Sequence, residues 1–469
     1  MRSLACVSLM GVGTAAPDKR AARSWAAGAR PGKIGWLYPP VGERTSDATG
    51  LGGGRRMIGV ERGCDAVSRM RTAANELRGD GRGWVLVVVA VGWALAIGVR
   101  LVFPALLPAV RRSFGMSLST AGLLITVLWG AYASMQFPGG ILADRYGERV
   151  VLVVAIVLGG LGVVAVAAAT TTVTFFAGTV GVGVGVGLYG TTRLTVLSDV
   201  FTERTGTAIG IAQATGNVGT MGLPPLAATI AAAVGWRLGF GALVPAFAVI
   251  AVALWVVIPR RSGDADAPTT RPLWTDVRTV ARALPTRALG LGTLSMILMM
   301  FVYQSFTGFY PTYLVVEKGL SESGAATMLG LFFASAVVVQ PIAGAARDRV
   351  GTRATMTVIL AGAVCALVAL PLVDGRIGIL AVTVLASTQL AFWPIGNTYI
   401  VETVPEEAKG TGFGLVRTGF IGLGASGPVV VGALGDAGRF DEAFFLLAGI
   451  AAGVLLLGQV LPPVRSVSA

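Results

Sequence analysis

The sequence predicts an all-α integral membrane protein whose twelve transmembrane helices form two pseudo-symmetric six-helix bundles. Composition is the first observation behind this prediction, and a duplicated loop motif is the second. Of 469 residues, 54% are hydrophobic and 13% are charged, and the mean hydropathy is +0.74. A soluble domain has about 25% charged residues to cover its surface, so the surplus apolar surface is expected to face lipid.

Twelve apolar segments have the length of about 20 residues that a helix needs to cross the hydrocarbon core. They are residues 84–108, 121–142, 150–169, 173–197, 208–233, 238–258, 289–316, 325–345, 354–373, 377–401, 411–434 and 443–460. Pro224, Pro225 and Pro428 are expected to kink or shorten their helices, because proline removes a backbone hydrogen bond. The chain then divides into a six-helix bundle at 84–258, a linker at 259–286, a second bundle at 287–461 and a tail at 462–469.

Residues 1–83 have a different composition, rich in Arg, Gly and Ala with no sustained apolar period. Such a segment cannot bury enough apolar surface to fold, so we expect a disordered, basic cytoplasmic tail. An alternative is that the natural start lies at Met57 or Met70 and that the tail is an extension of the gene model.

The linker contains an amphipathic stretch at 273–284. Leu273, Val277, Val280 and Leu284 share one helical face, which predicts a helix lying on the membrane surface. A solvated linker helix is the alternative.

Basic residues between the apolar segments predict the orientation of the chain. Fourteen lie on the side of the linker and six on the other side, which places the linker and both termini in the cytoplasm and the protein in the cell membrane. This topology explains the net charge of +13 better than nucleic-acid binding does.

No metal, cofactor or catalytic site is predicted. The three cysteines lack metal-ligand spacing and the chain has no histidine, which argues against a zinc site. The run GVGVGVG at 181–187 lies inside an apolar helix, where close helix packing is the better interpretation than nucleotide binding. No GxxxxGK[ST] phosphate loop occurs, which excludes an ATP-driven pump.

An internal repeat is the most informative pattern in the chain. The segments GILADRYGER at 140–149 and GAARDRVGTR at 344–353 both fit GxxxDRxGxR, and 204 residues separate their aspartates. At the same offset Gln136 matches Gln340 and Pro224 matches Pro428. One half is therefore a copy of the other.

The paired motifs, the twelve spans and the central linker resemble the major facilitator superfamily over residues 84–460. The resemblance implies a secondary transporter, expected to be a monomer in membrane lipid, in which two bundles alternate access to a midplane site. It also implies a small-molecule substrate.

The repeated loops predict a gate at the cytoplasmic surface. Their glycines permit tight turns and their charges are expected to latch helices of the two halves. Asp199 is expected to pair with Arg145 or Arg149, and Glu402 with Arg349 or Arg353. By resemblance, Asp144 also caps helix eleven near Gly410. The predicted gating residues are Gly140, Asp144, Arg145, Gly147, Arg149, Asp199, Asp348, Arg349, Gly351, Arg353 and Glu402. A role limited to topology and sharp turns is the alternative.

Three arginines lie inside the apolar segments. An arginine at the bilayer centre costs about 2.5 to 3.5 kcal/mol on insertion scales, so each is a functional hypothesis. Arg100, about two turns from the outer end of helix one, is the first candidate for substrate contact. Arg417 lies about two turns inside helix eleven, whereas Arg193, about one turn from the end of helix four, is expected to be structural. No Asp or Glu lies deeper than the terminal turns, which favours an organic anion as substrate.

Further polar residues occupy related positions in the repeat. At the offset of 204, Gln304 matches Arg100, Asn397 matches Arg193, and Gln213 matches Arg417. The predicted substrate-binding residues are Arg100, Tyr303, Gln304, Thr307, Gln136, Asn397 and Arg417.

Two other functions stay open. One is an exporter of drug-like amphipathic compounds, although Leu223 interrupts the Gly-Pro pair of the family's antiporter signature. The other is a transport-dead membrane sensor that signals through its basic tail.

Overall fold

The computed structural model describes residues 82–259, 278, 282, 286–404 and 409–462, with only the backbone for 409–411. The predicted disordered tail lies outside these residues except at its end, where the first helix already begins at Arg82. The predicted surface helix at 273–284, apart from Arg278 and Arg282, and the tail from 463 also lie outside them.

Within the described residues, twelve helices are long and apolar enough to span a membrane, as predicted. They are α1 (Arg82–Phe114), α2 (Leu118–Tyr146), α3 (Glu148–Ala167), α4 (Thr172–Val200), α5 (Thr205–Val234), α6 (Trp236–Val257), α7 (Arg287–Val316), α8 (Glu322–Val350), α9 (Thr352–Leu372), α10 (Arg376–Thr403), α11 (Gly412–Asp436) and α12 (Phe440–Val460). We call the end of the helices where α6 stops and α7 starts the linker end, and the opposite end the far end.

Prolines interrupt these helices less than the sequence predicts. Helix α1 continues through Pro104 and Pro108 to Phe114, and α5 runs unbroken through Pro224 and Pro225. Helix α11, in contrast, is interrupted between Gly424 and Gly427, directly before Pro428. Packing against neighbouring helices lets a membrane helix tolerate proline, so the tertiary contacts decide which prolines break a helix.

The glycine run of α4 serves close packing, in agreement with the interpretation from the sequence. A Cβ atom on Gly185 would lie 2.6 Å from the Ala155 carbonyl oxygen of α3, and one on Gly183 would lie 2.7 Å from the Leu128 carbonyl oxygen of α2. Only glycine permits this approach on both faces. Helix α4 is thereby fixed between α2 and α3, which positions the side chains at its linker end.

The two halves also meet backbone to backbone. A Cβ on Gly122 of α2 would lie 2.3 Å from the Pro428 carbonyl oxygen of α11, and a Cβ on Gly330 of α8 would lie 2.7 Å from the Met221 carbonyl oxygen of α5. Since lipid provides no hydrophobic drive for helices to associate, such close contacts supply the van der Waals energy that holds the bundles together.

Polar contacts join the halves at the far end. The Asp436 carboxylate, at the end of α11, accepts hydrogen bonds from the Leu118 and Ser119 amides at 2.7 and 2.8 Å. It also accepts one from the Ser119 hydroxyl at 2.5 Å. Arg112 and Glu322 form an ion pair nearby. Asp436 therefore caps the N-terminus of α2 from the other half, where a negative charge is favoured. We call the contact between Asp436 and the start of α2 the far-end latch.

We predict that Asp436→Asn weakens closure of the far end. Loss of the carboxylate charge removes about 1 kcal/mol of helix-terminus stabilisation, which corresponds to about a fivefold shift in a two-state equilibrium. The measurement is the rate of maleimide labelling of the cysteine in Ala425→Cys. Ala425 is a buried residue of α11, and its carbonyl accepts a hydrogen bond from the Thr126 hydroxyl of the other half. Native cysteines are replaced by serine.

The expected result is labelling from the far side that is about fivefold faster. Asp441→Asn is the matched control, because Asp441 accepts from Tyr313 within one half and its loss leaves the interface intact. Equal labelling rates in Asp436→Asn and the parent would contradict the latch.

Candidate functional site

The first site residue is Arg100, which lies near the middle of α1 rather than near its outer end. Helix α1 extends six residues past the predicted limit at Pro108, so 14 residues separate Arg100 from the helix end at Phe114. The side chain is 4% exposed. Its guanidinium carbon lies 3.8 Å from the Trp129 ring centroid and 4.5 Å from that of Tyr132. Two aromatic faces of α2 thus stabilise this buried cation.

Arg193 of α4 has a similar environment and lies deeper than predicted. Since α4 ends at Val200, seven residues, or about two turns, separate Arg193 from the linker end. The side chain is 4% exposed, and its guanidinium carbon lies 3.8 Å from the Trp93 ring centroid. Arg193 Nη2 donates to Gln213 Oε1 of α5 at 3.2 Å.

Arg417 of α11 is half-buried and completes a group of three. Arg100, Arg193 and Arg417 all interact electrostatically with the Tyr132 phenol, and Arg193 and Arg417 also interact with each other. We call these three arginines the arginine cluster. The fold therefore brings together charges from α1, α4 and α11, which belong to both halves.

The arginine cluster lacks an acidic partner within the described part of the chain. None of its guanidinium groups forms an ion pair with a described carboxylate. Nε and Nη1 of Arg100 and of Arg193 are buried without a hydrogen-bond partner. Unpaired buried donors are costly, so the arrangement favours an anion that accepts hydrogen bonds from them.

Aromatic side chains complete the walls around the cluster. Tyr303 of α7, 9% exposed, packs edge-on against Trp129 at 5.9 Å and against Trp393 at 5.4 Å between ring centroids. It also interacts electrostatically with Arg100. Tyr303 of the second half therefore packs on Trp129, the ring of the first half on which Arg100 stacks.

Other predicted binding residues are used by the helices themselves. Gln304 is fully buried and donates from Nε2 to the Ile421 carbonyl at 3.1 Å, so it joins α7 to α11 and makes no hydrogen bond to Arg100. Gln136 donates from Nε2 to the Gly187 carbonyl at 3.2 Å. The Thr307 hydroxyl donates to the Tyr303 carbonyl one turn earlier at 2.7 Å. These three bonds fix helix positions.

Asn397 of α10 is half-buried, and its Oδ1 atom has no hydrogen-bond partner among the described residues. It occupies the repeat position of Arg193. Asn397 therefore retains an unused acceptor, unlike Gln136 and Thr307, whose polar groups bond to backbone.

The first loop motif has its charges at the surface of the linker end. Gly147 has φ of 81°, the left-handed conformation that the tight turn requires, whereas a Cβ on Gly140 would meet no atom within 4 Å. Asp144 and Arg145 are exposed. Arg149 packs on Trp255 of α6 at 4.3 Å from the ring centroid.

The second motif repeats the turn, with Gly351 at φ of 86°. Asp348 and Arg349 are exposed, and Arg353 donates to the Leu461 carbonyl at 3.4 Å. Asp199 is half-buried at the linker end of α4.

The ion-pair partner of Glu402 differs from the prediction. Glu402 pairs with Arg347, at 3.7 Å between Oε1 and Nη2, rather than with Arg349 or Arg353. Residues 347 and 349 are two positions apart and point to different sides of α8. Arg353 belongs to α9 and faces the end of α12.

A separate small apolar cleft lies inside the second half, away from the arginine cluster. Its lining offers no positive charge to an anion. The lining residues are Gly292, Ser295, Met296, Met356, Leu360, Phe392, Gly396, Tyr399, Val454, Gly458 and Leu461.

The aromatic partners of the cluster were not predicted from the sequence. Trp129 and Tyr132 are three residues apart on α2, and this spacing puts both on one face. That signal was available, but nothing in the sequence indicated that Arg100 of α1 points at this face.

Comparisons with known proteins agree with the architecture. The model of the Major Facilitator Superfamily matches residues 88–388 and 319–468. The probable sulfoacetate transporter SauU of Cupriavidus necator is 25% identical over 404 residues, which cover 81% of this chain and 93% of that protein.

Two solved structures show the same fold. A bacterial homologue of the human lysosomal transporter Spinster, in an inward-facing and occupied conformation, aligns with a TM-score of 0.67 at 18% identity, covering 81% of this chain and 96% of that one. The nucleoside transporter NupG aligns with a TM-score of 0.67 at 11% identity, covering 81% of this chain and 99% of that one.

We predict that Gly216→Ala disturbs the site through Trp93. A Cβ on Gly216 would lie 2.4 Å from both Nε1 and Cδ1 of Trp93, the ring on which Arg193 stacks. The rigid indole must shift, and we expect the free energy of unfolding to fall by about 1 to 3 kcal/mol. Thermal unfolding in detergent measures this.

Gly222→Ala is the matched control on the same helix, since a Cβ there meets nothing within 4 Å. The control is expected to retain or slightly increase stability, because alanine favours helix over glycine. Similar destabilisation by both substitutions would contradict the packing role of Gly216.

Proposed function

Because the chain belongs to the major facilitator superfamily and is a multi-pass membrane transporter rather than an enzyme, we propose that it carries a small organic anion. The arginine cluster is the binding site, and two six-helix bundles expose it to one side of the membrane at a time.

The observation that carries this proposal is the unpaired positive charge of the cluster. Arg100 and Arg193 are each 4% exposed and have buried donors without partners. A carboxylate, sulfonate or phosphate accepts charge-assisted hydrogen bonds from such donors, each worth about 1.5 to 3 kcal/mol. The similarity to a protein named as a probable sulfoacetate transporter gives loose support, since sulfoacetate is an organic anion.

Alternating access requires that one end of the bundle is closed whenever the site is open to the other side of the membrane. In this structure the far-end latch closes one end, while Asp144 at the linker end is exposed. We propose that Asp144 and its loop motif form the opposing latch when the site opens to the far end. The excess of basic residues on the linker side supports a cytoplasmic location for the linker end in the cell membrane.

A second candidate is export of amphipathic compounds. The rings of Trp129, Tyr303 and Trp393 adjoin the cluster, and such an aromatic wall also suits an apolar compound. The positive charge restricts this candidate to compounds that are neutral or anionic.

We predict that purified protein in proteoliposomes takes up organic anions and not cationic dyes or sugars. The panel contains carboxylates, sulfoacetate and other sulfonates, phosphate esters, sugars and cationic dyes. Arg100→Gln is expected to reduce anion uptake at least tenfold, since it removes at least one charge-assisted hydrogen bond worth about 1.5 kcal/mol or more.

Arg237→Gln is the matched control. Arg237 also stacks on a tryptophan, Trp236, at 4.4 Å from the ring centroid, but it donates to the Ala169 carbonyl at the far end of the first half. It should keep full uptake. Uptake of neutral or cationic compounds alone, unaffected by Arg100→Gln, would refute the anion proposal, and a folded protein with no flux would favour the sensor.

We also predict that Asp144→Asn slows transport several-fold without lowering expression, because the linker-end latch loses its charge. Asp374→Asn serves as the control, since Asp374 pairs with Lys318 at the far end within one half. Normal flux in Asp144→Asn would leave the motif with a role in topology and turns only.

A further inference from the structure

The internal repeat relates two sets of positions that each hold one arginine and one amide residue. The arginine is on the earlier helix in the first half and on the later helix in the second half. In the first half Arg193 on α4 donates to Gln213 on α5 at 3.2 Å. At the offset of 204 the second half has Asn397 on α10 and Arg417 on α11. Each half thus supplies one arginine from a related helix pair, at a similar depth.

The depths of these residues follow from the helix bounds. Arg193 is seven residues from the linker end of α4. Arg417 is eight residues from Lys409, where the helical backbone that continues into α11 begins. At 1.5 Å per residue, both lie about 11 Å inside the linker end. Arg100, which is 18 residues from Arg82, lies closer to the middle of the bundle.

The cluster therefore offers two neighbouring positions for anionic groups. Arg100 stacks on the Tyr132 ring, and Arg193 stacks on Trp93, whose ring edge and the Tyr132 hydroxyl both lie within 4 Å of a Cβ placed on Gly190. At the first, Arg100 is held between Trp129 and Tyr132 with Nε and Nη1 unpaired. At the second, Arg193 and Arg417 interact with each other. Arg193 has its own unpaired Nε and Nη1, and Arg417 makes no hydrogen bond or ion pair to another described residue.

Electrostatics distinguishes a singly charged ligand from a doubly charged one. A single anionic group bound at Arg100 leaves the repulsion between Arg193 and Arg417 uncompensated in surroundings of low dielectric, where charges interact strongly. A second anionic group between them converts this repulsion into two attractions. Both positions adjoin the same phenol, so one compact molecule can reach both.

We propose that the site binds a small organic dianion, with one anionic group at Arg100 and the other at Arg193 and Arg417. This inference rests on the proposed function and deepens it. It makes Arg193 and Arg417 the residues that select for the second charge, whereas Arg100 serves any anion.

The test compares affinities for ligand pairs of similar size that differ by one charge. Succinate is paired with monomethyl succinate, and sulfoacetate with the methyl ester of sulfoacetate. Dissociation constants come from titration calorimetry or thermal shift of the full-length protein in detergent at pH 7.5. We expect the wild type to bind at least one dianion at least 30-fold more tightly than its monoester.

Arg193→Gln and Arg417→Gln should each reduce dianion affinity at least tenfold and change monoester affinity less than threefold. Arg193→Lys should recover part of the selectivity, because it restores the charge. Arg100→Gln should weaken both ligands of a pair alike. Arg237→Gln is the matched control and should change neither.

Stability of the empty protein separates binding from a structural role. The cost of burying the Arg193 charge offsets its contacts with Trp93 and Gln213, so Arg193→Gln should leave the unfolding temperature within a few degrees of the wild type. Equal binding of dianions and monoesters by the wild type, or equal weakening of both by Arg193→Gln, would overturn the dianion inference while leaving anion transport intact. Absence of binding by every anion, with uptake of neutral or cationic compounds, would overturn the proposed function itself.

Discussion

Three guanidinium groups inside membrane-spanning helices, without a described carboxylate beside them, are the constraint around which this structure is arranged. Each costs several kcal/mol to place away from water, and the arginine guanidinium keeps its charge in proteins. A fold that retains Arg100, Arg193 and Arg417 must therefore stabilise them without neutralising them. The consequence is a set of buried donors that the proposed anion satisfies.

Aromatic rings supply the stabilisation that carboxylates would otherwise give. Arg100 stacks on Trp129 and Tyr132, and Arg193 stacks on Trp93. A cation–π contact is worth about 2 kcal/mol when desolvated, but it occupies the face of the guanidinium and leaves its edge N–H groups for a ligand. An ion pair would have consumed those donors, so the aromatic partners leave them available to the proposed anion.

The two halves contribute unequally to the contacts between them. Close glycine contacts such as Gly122 against Pro428 bring the backbones of the two halves into direct contact. Such an interface allows the two bundles to rock against each other without repacking long side chains. At the far end, Asp436 caps α2 across the interface, but its repeat position in the first half is Ala232. The duplication therefore preserved the framework, whereas the capping aspartate of the far-end latch occurs in the second half only.

The sequence by itself determined the twelve spans, the duplication and the positive character of the membrane interior. Hydropathy over about 20 residues and the spacing of repeated motifs can both be counted along the chain without coordinates. It also identified Arg100 and Arg417, since a charge in an apolar run is visible without coordinates. Only the tertiary structure decided which side chains meet. Helix rotation directs Gln304 to the Ile421 carbonyl and Arg193 to Trp93, and it pairs Glu402 with Arg347. A sequence fixes the position of a residue along its helix, whereas packing between helices fixes the direction in which its side chain points.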